Sequence, residues 1–187
     1  MSAGKSPFGF WKTAFRYGGL AGFLIISVMV TGFIVFGLRS SAGSQLFGFT
    51  LMFFILSLIF FGIRRFRDVD QGGVIKFSRA LLLGLAMSLF AGLAYVIIWE
   101  IYTMATDNSF IHHYTDHLIE LQKGKGVSGQ ALTDFIAKME KMKTNYANPG
   151  YRIPLTFAEI FPMGVIVTLI SSLILHKPKF WTRKASS

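Results

Sequence analysis

Cysteine is absent from the 187-residue chain. That excludes disulfides, thiolate metal sites and cysteine nucleophiles, and leaves the redox compartment open. Charge is scarce as well, at 15% of residues, with nine acids against nineteen Lys and Arg. No nucleophile and base pairing and no complete zinc-hydrolase pattern stands in the sequence, so an intramembrane enzyme ranks last among the functional readings. The Gly72-Gly73 pair follows an acidic turn and lacks the Lys-Ser/Thr of a phosphate loop. It marks a tight turn, and no nucleotide or other cofactor is implied. Internal repeats and low-complexity tracts are missing too.

What is there is apolar: 52% of residues are hydrophobic and 16% aromatic, with a mean hydropathy of +0.52. A soluble domain of this size has no means of hiding so much apolar surface. The formal charge of +10 admits a nucleic-acid reading only if the cations form a stripe with base readers on an exposed face. Here many of them flank apolar runs, which suits anionic lipid headgroups and topology signals, so no nucleic-acid partner is expected.

Four uncharged or nearly uncharged runs cover residues 18–38, 46–63, 80–102 and 154–175. At 1.5 Å per residue they reach roughly 27 to 34 Å, enough to cross a hydrocarbon core of about 30 Å. In lipid each must be helical, because a lone strand leaves its backbone unsatisfied. The expectation is a single membrane domain over residues 1–187, all-α, built as a four-helix transmembrane bundle. Lys5, Lys12 and Arg16 before the first run, with small residues at 40–43 after it, imitate a signal peptide. The uncharged run from Tyr17 to Leu38 is too long for a typical cleaved leader, so it is read as a span.

Lys and Arg near the span ends set the orientation. Lys5, Lys12 and Arg16 precede the first span, Arg64, Arg65, Arg67, Lys76 and Arg79 fill the second connection, and Lys177, Lys179, Arg183 and Lys184 follow the fourth. The first connection carries only Arg39. Both termini are therefore expected in the cytoplasm. The third connection also holds Lys123, Lys125, Lys138, Lys141, Lys143 and Arg152, but it is long and several lie far from a span. Arg64, Arg65, Arg67, Lys177 and Lys179 are expected to meet anionic headgroups of the bilayer. Phe10, Trp11, Phe15 and Tyr17, then Trp99 and Tyr102, then Phe180 and Trp181 read as interfacial belts.

The third connection is more than a linker. Over 108–122, Phe110, Tyr114, Leu118 and Leu121 share a helical stripe opposite Asp116 and Glu120. Over 128–146, Leu132, Phe135, Ile136, Met139, Met142 and Tyr146 do the same, opposite Asp134, Lys138, Lys141 and Lys143. Gly124 and Gly126 break the pattern and Ser128 offers an N-cap. Residues 106–147 are thus expected to form an extracytoplasmic amphipathic helical hairpin.

Few polar residues fall where a membrane makes them costly. Glu159 lies inside the fourth run and Glu100 near the end of the third, at similar depth in the outer leaflet. Intramembrane acids cost about 2.5 to 3.5 kcal/mol at the centre on insertion scales and usually face a bundle interior or a wet cavity. Glu159 is accordingly either a site residue or a structural one that caps the fourth helix or pairs with Arg152. Pro162 frees a carbonyl near Ala158, which makes either a polar pocket beside Glu159 or a simple bend. His113 and His117, next to His112, Asp116 and Glu120, have the i, i+4 spacing of a metal pair, although a solvated helix face explains them as well. Gly84, Ser88 and Gly92, like Gly18 and Gly22, recur every four residues and favour close helix packing.

Four segments carry a resemblance: residues 67–77 (RDVDQGGVIKF), Trp99-Glu100-Ile101-Tyr102, Tyr146-Ala147-Asn148-Pro149, and residues 156–164 (TFAEIFPMG) continuing to Leu169-Ile170-Ser171-Ser172. Together they resemble the bacterial membrane family called domain of unknown function 4199, over nearly the whole chain. The resemblance implies a bacterial envelope protein and supports four spans; it carries no activity and no catalytic residues. The expected role is a non-enzymatic scaffold or modulator of a membrane-protein partner or a second copy, in the inner membrane. The alternative is a small transporter or proton- or cation-coupled channel using Glu100 and Glu159.

Overall fold

The structure, a computed structural model, describes residues 7–36 and 45–177. The expectations resting on Lys5, Leu38, Arg39, Lys179, Phe180, Trp181, Arg183 and Lys184 lie outside the described residues. Within them the chain is all-α, with no strand. Helix α1 covers Pro7–Phe36, α2 Gln45–Leu56, α3 Leu58–Arg65, α4 Phe77–Ala105, α5 Ser109–Gly124, α6 Gly129–Ala147 and α7 Pro149–Leu175. Four helical stretches are long and apolar enough to cross a membrane: Phe8–Val35, Leu46–Asp70, Phe77–Ala105 and Pro149–Leu175.

Helix α1 starts well before the uncharged run. Pro7 suits the first helical position, whose N–H needs no partner, and nothing between Phe8 and Tyr17 interrupts the ladder. Between α2 and α3 the Ser57 amide is shared by the Phe53 and Phe54 carbonyls at 3.2 and 3.3 Å, and the Ser57 hydroxyl donates back to Phe54. This hydroxyl competition makes a one-residue stutter within a span that otherwise continues. A π-helical turn at Phe66–Asp70 ends the span. Gly72 and Gly73 then take φ of 69° and 91°, and the Gly73 amide closes on the Arg67 carbonyl at 2.9 Å. A Cβ is strained in that left-handed pair, so the tight turn requires glycine.

Helix α4 is the centre of the bundle, packed on α1 along one side and α7 along the other. The small residues explain how. A Cβ on Gly18 would strike the Met87 backbone, and one on Gly22 the Ala91 backbone. On the other side Gly84 receives Thr168, Gly92 receives the Phe157 ring, and Gly164 receives Ser88. The four-residue spacing is therefore used inside the chain, with Ser88 and Thr168 hydroxyls 3.2 Å apart across the α4–α7 seam. Ile25, Ile26, Leu56, Ile59, Ile63, Leu83 and Met87 fill the interior between the seams.

Helices α5 and α6 form the hairpin. Gly126 and Gly129 take positive φ in its turn, and Ser128 has the extended backbone of an N-cap without a side-chain cap bond. Met139 is buried, while Phe135 and Ile136 are half-buried. The buried side of α5 runs through Ile111 and Thr115, rotated from the expected stripe. Phe110 and Tyr114 stack on each other beside Trp99, and Leu121 is left exposed. Lys143, expected on the polar side of α6, reaches across to Asp116 at 3.2 Å and to Glu140 at 2.9 Å. The Glu140 bond first, and Asp116 with it, holds its ammonium above the ordinary lysine value.

Backbone-to-backbone approach is the hardest packing to relieve. Alanine at Gly18 or Gly22 gains about 1 kcal/mol of helix propensity but forces α1 off α4, at about 1 to 3 kcal/mol. Both variants are expected to melt below wild type in detergent, because the clash outweighs the gain in propensity. Gly19→Ala, where a Cβ meets nothing within 4 Å, is expected to melt at or above it.

Candidate functional site

The polar residues gather where α4 ends and α7 begins. Helix α4 stops in a two-residue reversal in which Asp107 and Asn108 have φ of 49° and 57°. Asn and Asp tolerate that region better than other side chains. The Asn108 amide closes on the Thr103 carbonyl at 2.9 Å, a Schellman-type ending. Helix α7 starts with Asn148, whose side chain accepts from the Gly150 amide at 2.8 Å, and with Pro149 at the first helical position. These two ends bring Glu100 and Arg152 face to face.

Arg152 is 2% exposed. Its Nε donates to Glu100 Oε1 at 2.7 Å and its Nη2 to Glu100 Oε2 at 2.6 Å, a two-pronged fork. Nη1 donates to Asn108 Oδ1 at 2.7 Å and to the Tyr146 carbonyl at 3.1 Å. The guanidinium also lies 5.7 Å from the Tyr146 ring centre. One side chain thus ties α4, the α4–α5 turn, the end of α6 and the start of α7. Beneath it Trp99 Nε1 donates to the Tyr146 hydroxyl at 2.7 Å. Phe33 of α1 and Phe110 of α5 pack against the Trp99 ring.

Proximity along the sequence offered Arg152 to Glu159. The structure gives Arg152 to Glu100 and the helix cap to Asn148, so neither structural role expected of Glu159 is filled by it. Glu159 is exposed on α7. Among the described residues it has no hydrogen bond or ion pair, although it lies within the fourth stretch of spanning length. Tyr95 is buried, with its hydroxyl 3.6 Å from Met29 Sδ. Pro162 is exposed one turn further along an unbroken α7, leaving the Ala158 carbonyl beside Glu159 without a helical donor. Glu100 is held by Arg152, and among the described residues no hydrogen bond links it to Glu159.

His113 is exposed and His117 half-buried on α5. Among the described residues no group of three or more His, Asp or Glu side chains is placed to hold a metal ion. At the opposite end of the bundle Arg64 lies 3.6 Å from Asp68, Arg65 is half-exposed 4.0 Å from Asp70, and Lys177 is exposed. Arg67 corrects its expected role as a headgroup contact. It is fully buried, bonded to Asp68 at 2.7 Å and to the Leu175 carbonyl at 3.4 Å, where a cation satisfies the exposed C-terminal carbonyls of α7.

The sequence does not mark Asn108 and Tyr146 as partners of Arg152, nor Trp99 as the donor to Tyr146. A usable signal existed: the end of span three and the start of span four must lie on one side of any four-span bundle, which puts Glu100 and Arg152 at one level. Four helices of spanning length, closed at one end by a buried ion pair, define a multi-pass helical bundle compatible with a membrane protein. The chain belongs to the family described as protein of unknown function (DUF4199), which matches residues 16–177. No curated protein and no solved structure matches it.

Burial first pushes the Tyr146 phenol from the ordinary 10 up to about 12, Glu159 and Glu100 adding to the rise while the Trp99 N–H and Arg152 oppose it. The folded chain therefore holds this proton after the unfolded chain has lost it, and stability falls as pH rises from about 10 to 12. Tyr146→Phe is expected to make that alkaline fall shallower. At neutral pH it orphans the Trp99 donor at a cost of about 1 to 3 kcal/mol. Thermal unfolding in detergent across pH checks both.

Proposed function

We propose that the chain is a non-enzymatic, multi-pass component of a bacterial inner membrane that scaffolds or modulates a membrane-protein partner or a second copy of itself. Both termini lie in the cytoplasm, with the α5–α6 hairpin on the outer side. Lys12, Arg16, Arg64, Arg65, Lys76, Arg79 and Lys177 at one end of the bundle support that orientation. The observation that carries the scaffold reading is the use made of Glu100. It is neutralised in a fork with Arg152, and the helix seams beneath it are closed by Gly18, Gly22, Gly84 and Gly164 against neighbouring atoms. An acid bound in that way stiffens a frame instead of carrying an ion.

A second reading, a small transporter or proton- or cation-coupled channel, is favoured by Glu159. Its carboxylate is unpaired among the described residues although it lies within a helix of spanning length. With Glu100 committed to Arg152, Glu159 is the acid left for such a role.

Purification in mild detergent, with mass identification of what travels with the chain, is expected to return a stoichiometric protein partner or a homo-oligomer. Glu159→Gln is expected to keep the wild-type dependence of thermal stability on pH and added cations. A cation-dependent stabilisation present in wild type and lost in Glu159→Gln replaces the scaffold with the transporter. Reporter fusions at Gly73 and Gly126 are expected on the cytoplasmic and outer sides, and a cytoplasmic Gly126 overturns the orientation.

A further inference from the structure

A cavity of about 260 Å³ opens at the end of the bundle opposite the Arg152 fork, between the first turns of α1 and the end of α3. Lys12, Thr13, Arg16, Tyr17, Arg65 and Asp70 line it. Among the described residues three cations meet one carboxylate there, Asp70, whose Oδ2 lies 4.0 Å from Arg65. Lys12 and Arg16 stand one turn apart on the same helix, where like charges repel. Among the described residues Arg16 makes no ion pair or hydrogen bond, and the Lys12 ammonium has only the Phe8 ring, 5.9 Å from its centre. The Thr13 and Tyr17 hydroxyls add neutral donors. Uncompensated cations around a concave space with hydroxyl donors are the chemistry of a phosphate site.

The surroundings say which phosphate. The uncharged run of α1 begins at Gly18, directly after Tyr17, so the cavity lies at the level where a membrane span reaches its headgroups. Phe8, Trp11 and Phe15, on the face of α1 next to the two cations, are 74%, 56% and 63% exposed. A ligand with an anionic phosphate and apolar tails covers both the cations and this aromatic face; free phosphate covers only the first.

We propose that this cavity binds the phosphate of an anionic phospholipid on the cytoplasmic side of the membrane, held by Lys12, Arg16 and Arg65. The proposal rests on the membrane reading given above. Retention of the chain in the membrane pellet after alkaline extraction tests that reading separately from any binding. For the site itself, the full chain in neutral detergent is titrated with phosphatidylglycerol, phosphatidylcholine and inorganic phosphate, followed by tryptophan fluorescence and thermal shift. Phosphatidylglycerol is expected to bind saturably and at least several-fold tighter than phosphatidylcholine. Lys12→Gln with Arg16→Gln is expected to weaken it by about tenfold or more, on the scale of two surface cations near an anionic headgroup, without lowering the melting temperature in lipid-free detergent. Lys123→Gln with Lys125→Gln, an equal loss of charge on the hairpin, is expected to leave it unchanged. Saturable binding of inorganic phosphate that the Lys12 and Arg16 changes abolish, with no phosphatidylglycerol binding, overturns the lipid and leaves a soluble phosphate site. Binding indifferent to the Lys12 and Arg16 changes, equal for both lipids, or absent from a chain that resists alkaline extraction overturns the site.

Discussion

Arg152 carries a charge that has almost no water to return to, and the rest of the architecture at that end answers to it. Taking such a guanidinium out of solvent costs several kcal/mol even after relaxation, so an apolar pair of the same shape would serve stability as well or better. What an ion pair adds is geometry. The fork to Glu100 fixes the level of α7 against α4. The remaining Nη1 contacts fix the two chain reversals that launch and end the hairpin. Asn108 adopts a left-handed backbone and presents Oδ1 to the same guanidinium. The hairpin is consequently an extension of the bundle, attached through Tyr146, Trp99 and Phe110, and not a loosely tethered insert.

The two ends of the bundle solve opposite electrostatic problems. At the Arg152 end charges are matched inside the chain and shielded by aromatic rings. At the other end, among the described residues, basic residues outnumber acids and only Arg67 is drawn inside, to the last carbonyl of α7. Between them α4 is held by contacts too close to admit a side chain at Gly18 or Gly22. Small residues do in lipid what apolar burial does in water: they bring helices close enough for dispersion to act along their full length. A bundle ordered in this way has its free chemistry at the periphery, at Glu159 on one flank and at the basic cavity beside α1.

The fold was legible because the membrane constraint is one-dimensional. Uncharged runs of about twenty residues have one backbone solution, and the family match over residues 16–177 takes in all of them. The hairpin follows from periodicity, although the buried side of α5 is rotated, with Ile111 buried and Leu121 exposed, and the packing of Phe110 on Trp99 is one that no pattern within α5 reveals. Arg67 looked like every other cation in its cluster; its burial comes from the π-helical turn, which local propensity does not announce. The site was half legible. Glu100 and Glu159 are marked by cost and Arg152 only as one structural partner for Glu159; pairing is a matter of facing helices, and the structure gives Arg152 to Glu100.

The most direct measurement is a double-mutant cycle on Glu100→Gln and Arg152→Gln, with unfolding free energy read in detergent. If the fork governs this end of the bundle, each single change strands a buried charge and costs about 3 to 5 kcal/mol. The double change then costs no more than the worse single, giving a coupling of several kcal/mol. Single losses below about 1 kcal/mol that simply add, the behaviour of an exposed surface pair, would contradict the account.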